Sequence, residues 1–367
     1  MTASADAPLL RAAVGLPAAH TPVWFMRQAG RSLPEYRDLR GAGSILTAIK
    51  QPELAAEITM QPVRRYGVDA AVLFSDIVVP IHAIGFGVDV APGTGPVIAE
   101  PFRQPSDTRR LRPYEPDSDA PYVAATIDLL VRELQVPVLA FAGAPFTVAS
   151  YLIEGRPSKS YEHTKALMRT DEAIWHLLMS RLSDISIASV RGQLDAGAQA
   201  FQLFDSWSGA LSRSDYERFV LPHSRRVFHE IAASHPDAPG IHFGAGSDHL
   251  LELMHSAGAA VIGLDWRTSI VEARDRLGAR TVVQGNLDPA LVLTNVEVAL
   301  AATERVILDN AGHPGHIFNL GHGVNPDTDP AILAEVVTRV HERTAGMLHD
   351  MPDVRQESTV DPLASEV

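Results

Sequence analysis

Eight short apolar runs punctuate the chain, at residues 23–26, 70–74, 136–142, 200–204, 240–243, 259–264, 281–283 and 316–320. Most lack the strict polar alternation of a half-exposed strand, as expected for strands covered on both faces, and helical patterns separate most of them. Helix starts are marked by the capping spacings Ser269 with Glu272 and Thr294 with Glu297, and by Asp329 followed by Pro330. Gly197, Gly258, Gly278, Gly312 and Gly346 stand where helical patterns stop, and strands follow the first four almost at once. This is the grammar of βα units. Eight of them predict an α/β chain folded as a single (β/α)8 TIM-type barrel. An open doubly wound sheet with the same element order is the alternative, because closure is not a local property.

Residues 85–121 break the rhythm. The stretch carries GFGVDVAPGTGP and RPYEPDSDAP, is too irregular for one crossover helix, and reads as an insertion, a hairpin with a cover. The expected organisation is a flexible N-terminus over 1–12, a catalytic barrel over 13–346 and a disordered acidic tail over 347–367. That tail has five acidic residues, one arginine and no aromatic.

Composition narrows the chemistry. The formal charge of −13 disfavours a protein that works by neutralising nucleic-acid phosphates or anionic lipid. Cysteine is absent, which removes disulfides, thiolate nucleophiles and sulfur-ligated metal sites, and only Lys50, Lys159 and Lys165 could form an imine. The start MTASADAPLLRAAVG lacks a charged n-region before a long apolar run, and no segment reaches the length of a membrane span, so a cytoplasmic location is expected.

In barrels the chemistry sits at the carboxyl ends of the strands. After the first run come Arg27, Gln28, Ala29, Gly30 and Arg31; after the second, Asp76; after the fourth, Ser206; after the last, His322. Turns favour Gly, Asn, Asp and Ser anyway, but that does not explain two arginines four apart. Residues 1–50 carry six basic and three acidic side chains, net +3, so the rest of the chain carries −16. Guanidinium groups there suit carboxylate or phosphate; the bland alternative pairs Arg27 and Arg31 with Glu35 and Asp38 on a solvated helix face.

Other candidates keep a plain reading beside the functional one. Asp76 stands among apolar neighbours, facing N–H groups or a developing cation, or else capping a turn or pairing with an arginine. Tyr151 reads equally as a core tyrosine, Ser206 as a helix cap and His322 as a satisfied turn histidine. His313 and His316 should lie about 20 Å from His322, at the opposite end of one strand, so those three share no ion and no metal is expected.

The strings PVWFMRQAGRSLPEYR, LFSDI, GAPFTVASYLIEG, FDSW, GNLDP and NLGHG, in that order over residues 23–323, closely resemble the uroporphyrinogen decarboxylase family of porphyrin and haem synthesis. The resemblance implies a single (β/α)8 barrel that converts four acetate side chains of uroporphyrinogen III to methyl groups, giving coproporphyrinogen III and CO2. It implies no metal or organic cofactor, and a homodimer. Carried over by motif, Asp76, Arg27 and Arg31 are catalytic, and Gln28, Ala29, Gly30, Tyr151, Ser206 and His322 complete the tetrapyrrole site. Two readings compete: a thiol- or cobalamin-dependent methyltransferase, disfavoured by the absence of zinc-binding cysteines, and a tetrapyrrole-binding protein without turnover.

Overall fold

Seven of the eight apolar runs become parallel strands. In the computed structural model, which describes residues 5–346 apart from Arg31, Ala42 and residues 92–94, the barrel strands are β1 (Ala71–Val72), β4 (Val138–Gly143), β5 (Ala200–Phe204), β6 (Gly240–Phe243), β7 (Val261–Gly263), β8 (Val282–Gln284) and β9 (His316–Ile317), hydrogen-bonded in that order. Residues 85–121 contain the antiparallel hairpin β2 (Val88–Ala91) and β3 (Gly95–Ile98), a 3-10 turn Pro105–Arg110 and a short helix Pro116–Asp119. Among the described residues no helix is long and apolar enough to cross a membrane.

The eighth run, 23–26, is not a full strand, yet it closes the sheet. Val23 bridges Phe318 in parallel, with Phe318 N–H donating to Pro22 O at 2.8 Å and Trp24 N–H to Phe318 O at 3.3 Å. On its other edge only one backbone bond reaches the base of β1, from Asp69 N–H to Val23 O at 2.7 Å. Side chains complete that seam: Asp69 Oδ2 accepts the Val23 N–H at 2.7 Å, and Gln28 Nε2 donates to Ala70 O at 2.8 Å. Pro22 turns its carbonyl to Phe318 on the β9 side and has no N–H to add there, so that pairing stays an isolated bridge. Inside the barrel, Trp24 Nε1 donates to Gln284 Oε1 at 2.9 Å and Gln284 Nε2 to Gln202 Oε1 at 2.8 Å, all three side chains buried. Bonds among strands that are not neighbours must cross the lumen, which settles closure against an open sheet.

Two local expectations change. Residues Pro8–Ala13 form a helix whose Leu9 and Ala12 are buried, so a flexible stretch over 1–12 is replaced in its second half by packed structure. Thr294 does not cap the helix Val296–Asn310; Asn295 does, accepting from Val298 N at 2.9 Å, because its side chain reaches the same donor one residue later. Ser269 and Asp329 do cap their helices. The acidic tail over 347–367 lies outside the described residues.

Burial of histidine sets the acid limit of this fold. His316 is fully enclosed on β9, its Nε2 bonded to Gly285 O at 2.7 Å, and burial lowers it to about 4; His223 falls to about 4 through burial and the neighbouring His176 and Arg226. Unfolding releases both rings to an ordinary value of 6.5, so below that pH the unfolded chain binds protons that the native one refuses. Their contribution is complete above 6.5 and is lost as the pH falls toward 4. The buried Asp69 opposes its own desolvation with bonds from His20 and His341 that hold its carboxyl below the usual range, and it adds a loss of the same sign. The urea midpoint is therefore expected to drop between pH 7 and 5, with a shallower drop in His316→Gln; equal midpoints at the two pH values would contradict it.

Candidate active site

The carboxyl ends of the first segment and of β1, β4, β5, β7 and β9 converge on one mouth. Arg27 leaves the first segment in a left-handed conformation, φ +63°, a region costly for a side chain with a Cβ. Its stem lies on Gly323, where an added Cβ would stand 2.6 Å from Arg27 Cδ. Arg27 is exposed and has no ion-pair partner among the described residues, while Glu35 pairs instead with Arg65 at 3.7 Å. The solvated-face alternative fails for Arg27. Arg31 lies outside the described residues.

Gln28 is placed differently from expectation. It is fully buried, its Oε1 accepting from Phe25 N at 2.9 Å and its Nε2 donating to Ala70 O at 2.8 Å. Both ends of the amide are occupied by backbone, so it shapes the loop that aims Arg27 rather than touching a ligand. Gly30, φ +154°, and half-buried Ala29 complete that loop, and Leu33 N–H, donating to Gly30 O at 3.0 Å, ends it. Gln28→Leu would strand one buried donor and one buried acceptor, an expected loss of about 2 kcal/mol or more in urea unfolding. Wild-type stability would show that water replaces both bonds.

Around Arg27 stand three candidates from other strands. Asp76, half-buried after β1, accepts Val78 N–H on Oδ1 at 3.0 Å, so the turn-capping role is real; its charge is also felt by Tyr151. Tyr151 rises to about 12 through burial first and the Asp76 carboxylate second, against the pull of Arg27, and so keeps its proton. Its ring packs 3.9 Å from Trp207, which in turn lies 5.0 Å from Tyr161. His322 is lowered by burial and by Arg27; Gly323 N–H donates to its Nδ1 at 2.7 Å, so the neutral ring carries its proton on Nε2. Ser206 is half-buried and caps no helix, since the following 3-10 turn starts from Trp207.

Several residues at the mouth were not singled out from the sequence. Trp207 and Tyr161 supply a wall of mutually tilted aromatic rings beside Tyr151. Buried Asp205 holds that wall, accepting Thr147 Oγ1 at 3.2 Å while Thr147 Oγ1 accepts Trp207 N–H at 3.3 Å. Arg267 stacks 3.9 Å over Trp266 and is tied to Asp265 by its backbone N–H and its guanidinium, each at 2.8 Å. The FDSW and LDW strings carried a signal for the two tryptophans, which stand two residues and one residue after an Asp at a strand end. A groove on the outer flank, lined by Glu115, Asp184, Arg191, Arg226 and Glu230, is no rival. Its charges pair with one another, Arg191 with Glu230 and Arg226 with Asp184.

The mouth thus combines a guanidinium unpaired among the described residues, a carboxylate, a protonated phenol, a neutral imidazole donor and an aromatic wall. Its charges suit a large polyanion that becomes cationic at its centre. Known proteins agree on the family. Residues 4–343 match the family model described as Uroporphyrinogen decarboxylase (URO-D). The chain is 53% identical over 342 residues to uroporphyrinogen decarboxylase of Salinispora tropica, covering 93% of this chain and 91% of the relative. The Nocardia farcinica enzyme of that name is 55% identical over 346 residues, covering 92% and 96%, and the Streptomyces coelicolor one 54% over 344 residues, covering 94% and 96%. Among solved structures, a methyltransferase from Methanosarcina mazei superposes with a TM-score of 0.74 at 19% identity, covering 93% of this chain and 99% of that one, a likeness of fold alone. With its motifs in order on a closed barrel, and more than nine-tenths of its length matched by such relatives, the chain belongs to the uroporphyrinogen decarboxylase family.

Proposed function

We infer that this chain is a carboxy-lyase that removes CO2 from the four acetate side chains of uroporphyrinogen, leaving methyl groups, in porphyrin and haem synthesis. The observation that carries the reading is Arg27, a cation without an ion-pair partner among the described residues, at the mouth of a chain of net charge −13. An octacarboxylate entering so acidic a protein needs guanidinium groups there. The III isomer as substrate, giving coproporphyrinogen III, is the finer form of the proposal.

The chemistry assigns work to each side chain. Breaking the bond to CO2 leaves an electron pair on a methylene carbon, which is tolerable only if the pyrrole has first taken up a proton and can accept that pair. A second proton then converts the methylene to methyl while the ring returns its own; the net change is uptake of one proton and loss of one CO2. Asp76 accepts the pyrrole N–H groups and opposes the ring cation, an interaction stronger in the transition state than in the ground state. Arg27 and Arg31 bind substrate carboxylates; a guanidinium, ionised below about pH 12, is a poor acid. Tyr151 and His322 Nε2 donate hydrogen bonds, Ser206 adds a hydroxyl, and the Tyr151–Trp207 wall supports the macrocycle face.

Anaerobic incubation with uroporphyrinogen, followed by separation of products by carboxylate number, tests the reading. Seven-, six-, five- and four-carboxylate products support it; tight binding with no product would leave a tetrapyrrole carrier instead. We also propose a cytoplasmic homodimer whose mouths face each other. Light scattering at assay concentration should give twice the chain mass of 39.6 kDa, and a fully active monomer would contradict it.

A further inference from the structure

We propose that His20, Asp69 and His341 form a binding site for one divalent ion of the zinc class at the base of the barrel. Asp69 precedes β1 and His20 precedes the first segment, so both lie at the amino ends of the strands, opposite the mouth. The last helix, Pro330–Thr344, brings His341 to the same point with its closing turn. The three residues are 49 and 272 positions apart in the chain, and only the folded barrel assembles them.

Their geometry is that of a ligand set. His20 Nε2 lies 2.8 Å from Asp69 Oδ1 and His341 Nε2 2.8 Å from Asp69 Oδ2, with the two rings 4.0 Å apart. One ligand atom from each residue falls within 4.8 Å of the others. An ion bound at roughly 2.0–2.2 Å to such atoms sets them somewhat over 3 Å apart, so the cluster must open only slightly. Val23 N–H donates to Asp69 Oδ2 at 2.7 Å, orienting the carboxylate from behind as outer partners of metal ligands do. Asp69 is 10% exposed, but the imidazoles are 23% and 27% exposed, which leaves an entry and an open coordination position.

Two imidazoles and one carboxylate suit zinc and its first-row neighbours and need no sulfur. Binding requires both Nε2 lone pairs, with each ring's proton on Nδ1. The bound ion would tie the entry segment, the base of β1 and the last helix together, where the closing seam has little backbone pairing. Its role is structural, remote from turnover.

The test uses the full chain, stripped with chelator and titrated with Zn2+ by calorimetry and with Co2+ by visible absorption. One ion per chain, a four- or five-coordinate Co2+ spectrum and a higher melting temperature with Zn2+ are expected. His20→Gln and His341→Gln can each still donate a hydrogen bond to Asp69, so the fold survives, and each should weaken binding on the order of tenfold or more. Turnover of stripped and loaded protein should match. Absence of saturable binding would overturn the proposal and leave the trio as a hydrogen-bonded clasp. Binding that persists in the double Gln variant would overturn it equally, placing the ion on other histidines.

Discussion

Asp76→Asn is expected to lower kcat for uroporphyrinogen about 100-fold or more, with the fold intact by circular dichroism. The structure makes this substitution unusually clean. Asp76 Oδ1 accepts the Val78 N–H at 3.0 Å, and an asparagine oxygen can keep that bond, so the turn after β1 survives. What disappears is the charge that opposes the protonated pyrrole, and the new amide offers donors where the pyrrole N–H groups need acceptors. Asp76→Glu keeps the charge but moves it by about 1.5 Å, enough to retain part of the rate and lose the rest to misalignment. Tyr151 gives an independent readout: the Asp76 carboxylate is the second cause of its rise to about 12, so in Asp76→Asn its ionisation should move back down. Near wild-type turnover by the Asn variant would reduce Asp76 to a structural cap and require another partner for the cation.

How much of this was readable depended on whether the signal was local. The run at 200–204 is a strand at those residues because four consecutive buried positions and a half-buried Phe204, between a helix stop and an Asp, allow little else. The 23–26 run has the same apolar character, yet the side chains of Asp69 and Gln28 replace its ladder toward β1, and no composition rule reports a side chain standing in for a strand. Gln28 shows the same limit at the site. Its place between Arg27 and Ala29 made it look ligand-facing, but the left-handed turn at Arg27 sends the two neighbours in different directions, one to the mouth and one into the seam. His20 and His341 were beyond reach for a further reason, since spacing rules detect ligands that share a loop or a helix face. These two meet only after the barrel has closed.

Arg27 carries the other large effect, and its backbone gives the expectation a distinctive form. A non-glycine residue at φ +63° costs about 1–2 kcal/mol, which glycine avoids, while glycine adds roughly 0.4–1 kcal/mol of unfolded-state entropy. The two terms nearly cancel. Arg27→Gly should therefore leave urea stability within about 1 kcal/mol of wild type, because the side chain it removes is exposed and has no ion-pair partner among the described residues. Activity should not be spared. Loss of a charge-assisted contact to a substrate carboxylate, worth about 1.5–3 kcal/mol, lowers kcat/KM by roughly 10- to 150-fold. Arg27→Lys keeps the charge without the planar fork and should fall between the two. Such a split, activity lost while stability holds, is the mark of a strained conformation kept for function. If stability collapses with activity, the guanidinium is a structural element of the mouth; if kcat/KM is unchanged, substrate carboxylates are bound elsewhere and the left-handed turn at Arg27 has no catalytic reason to persist.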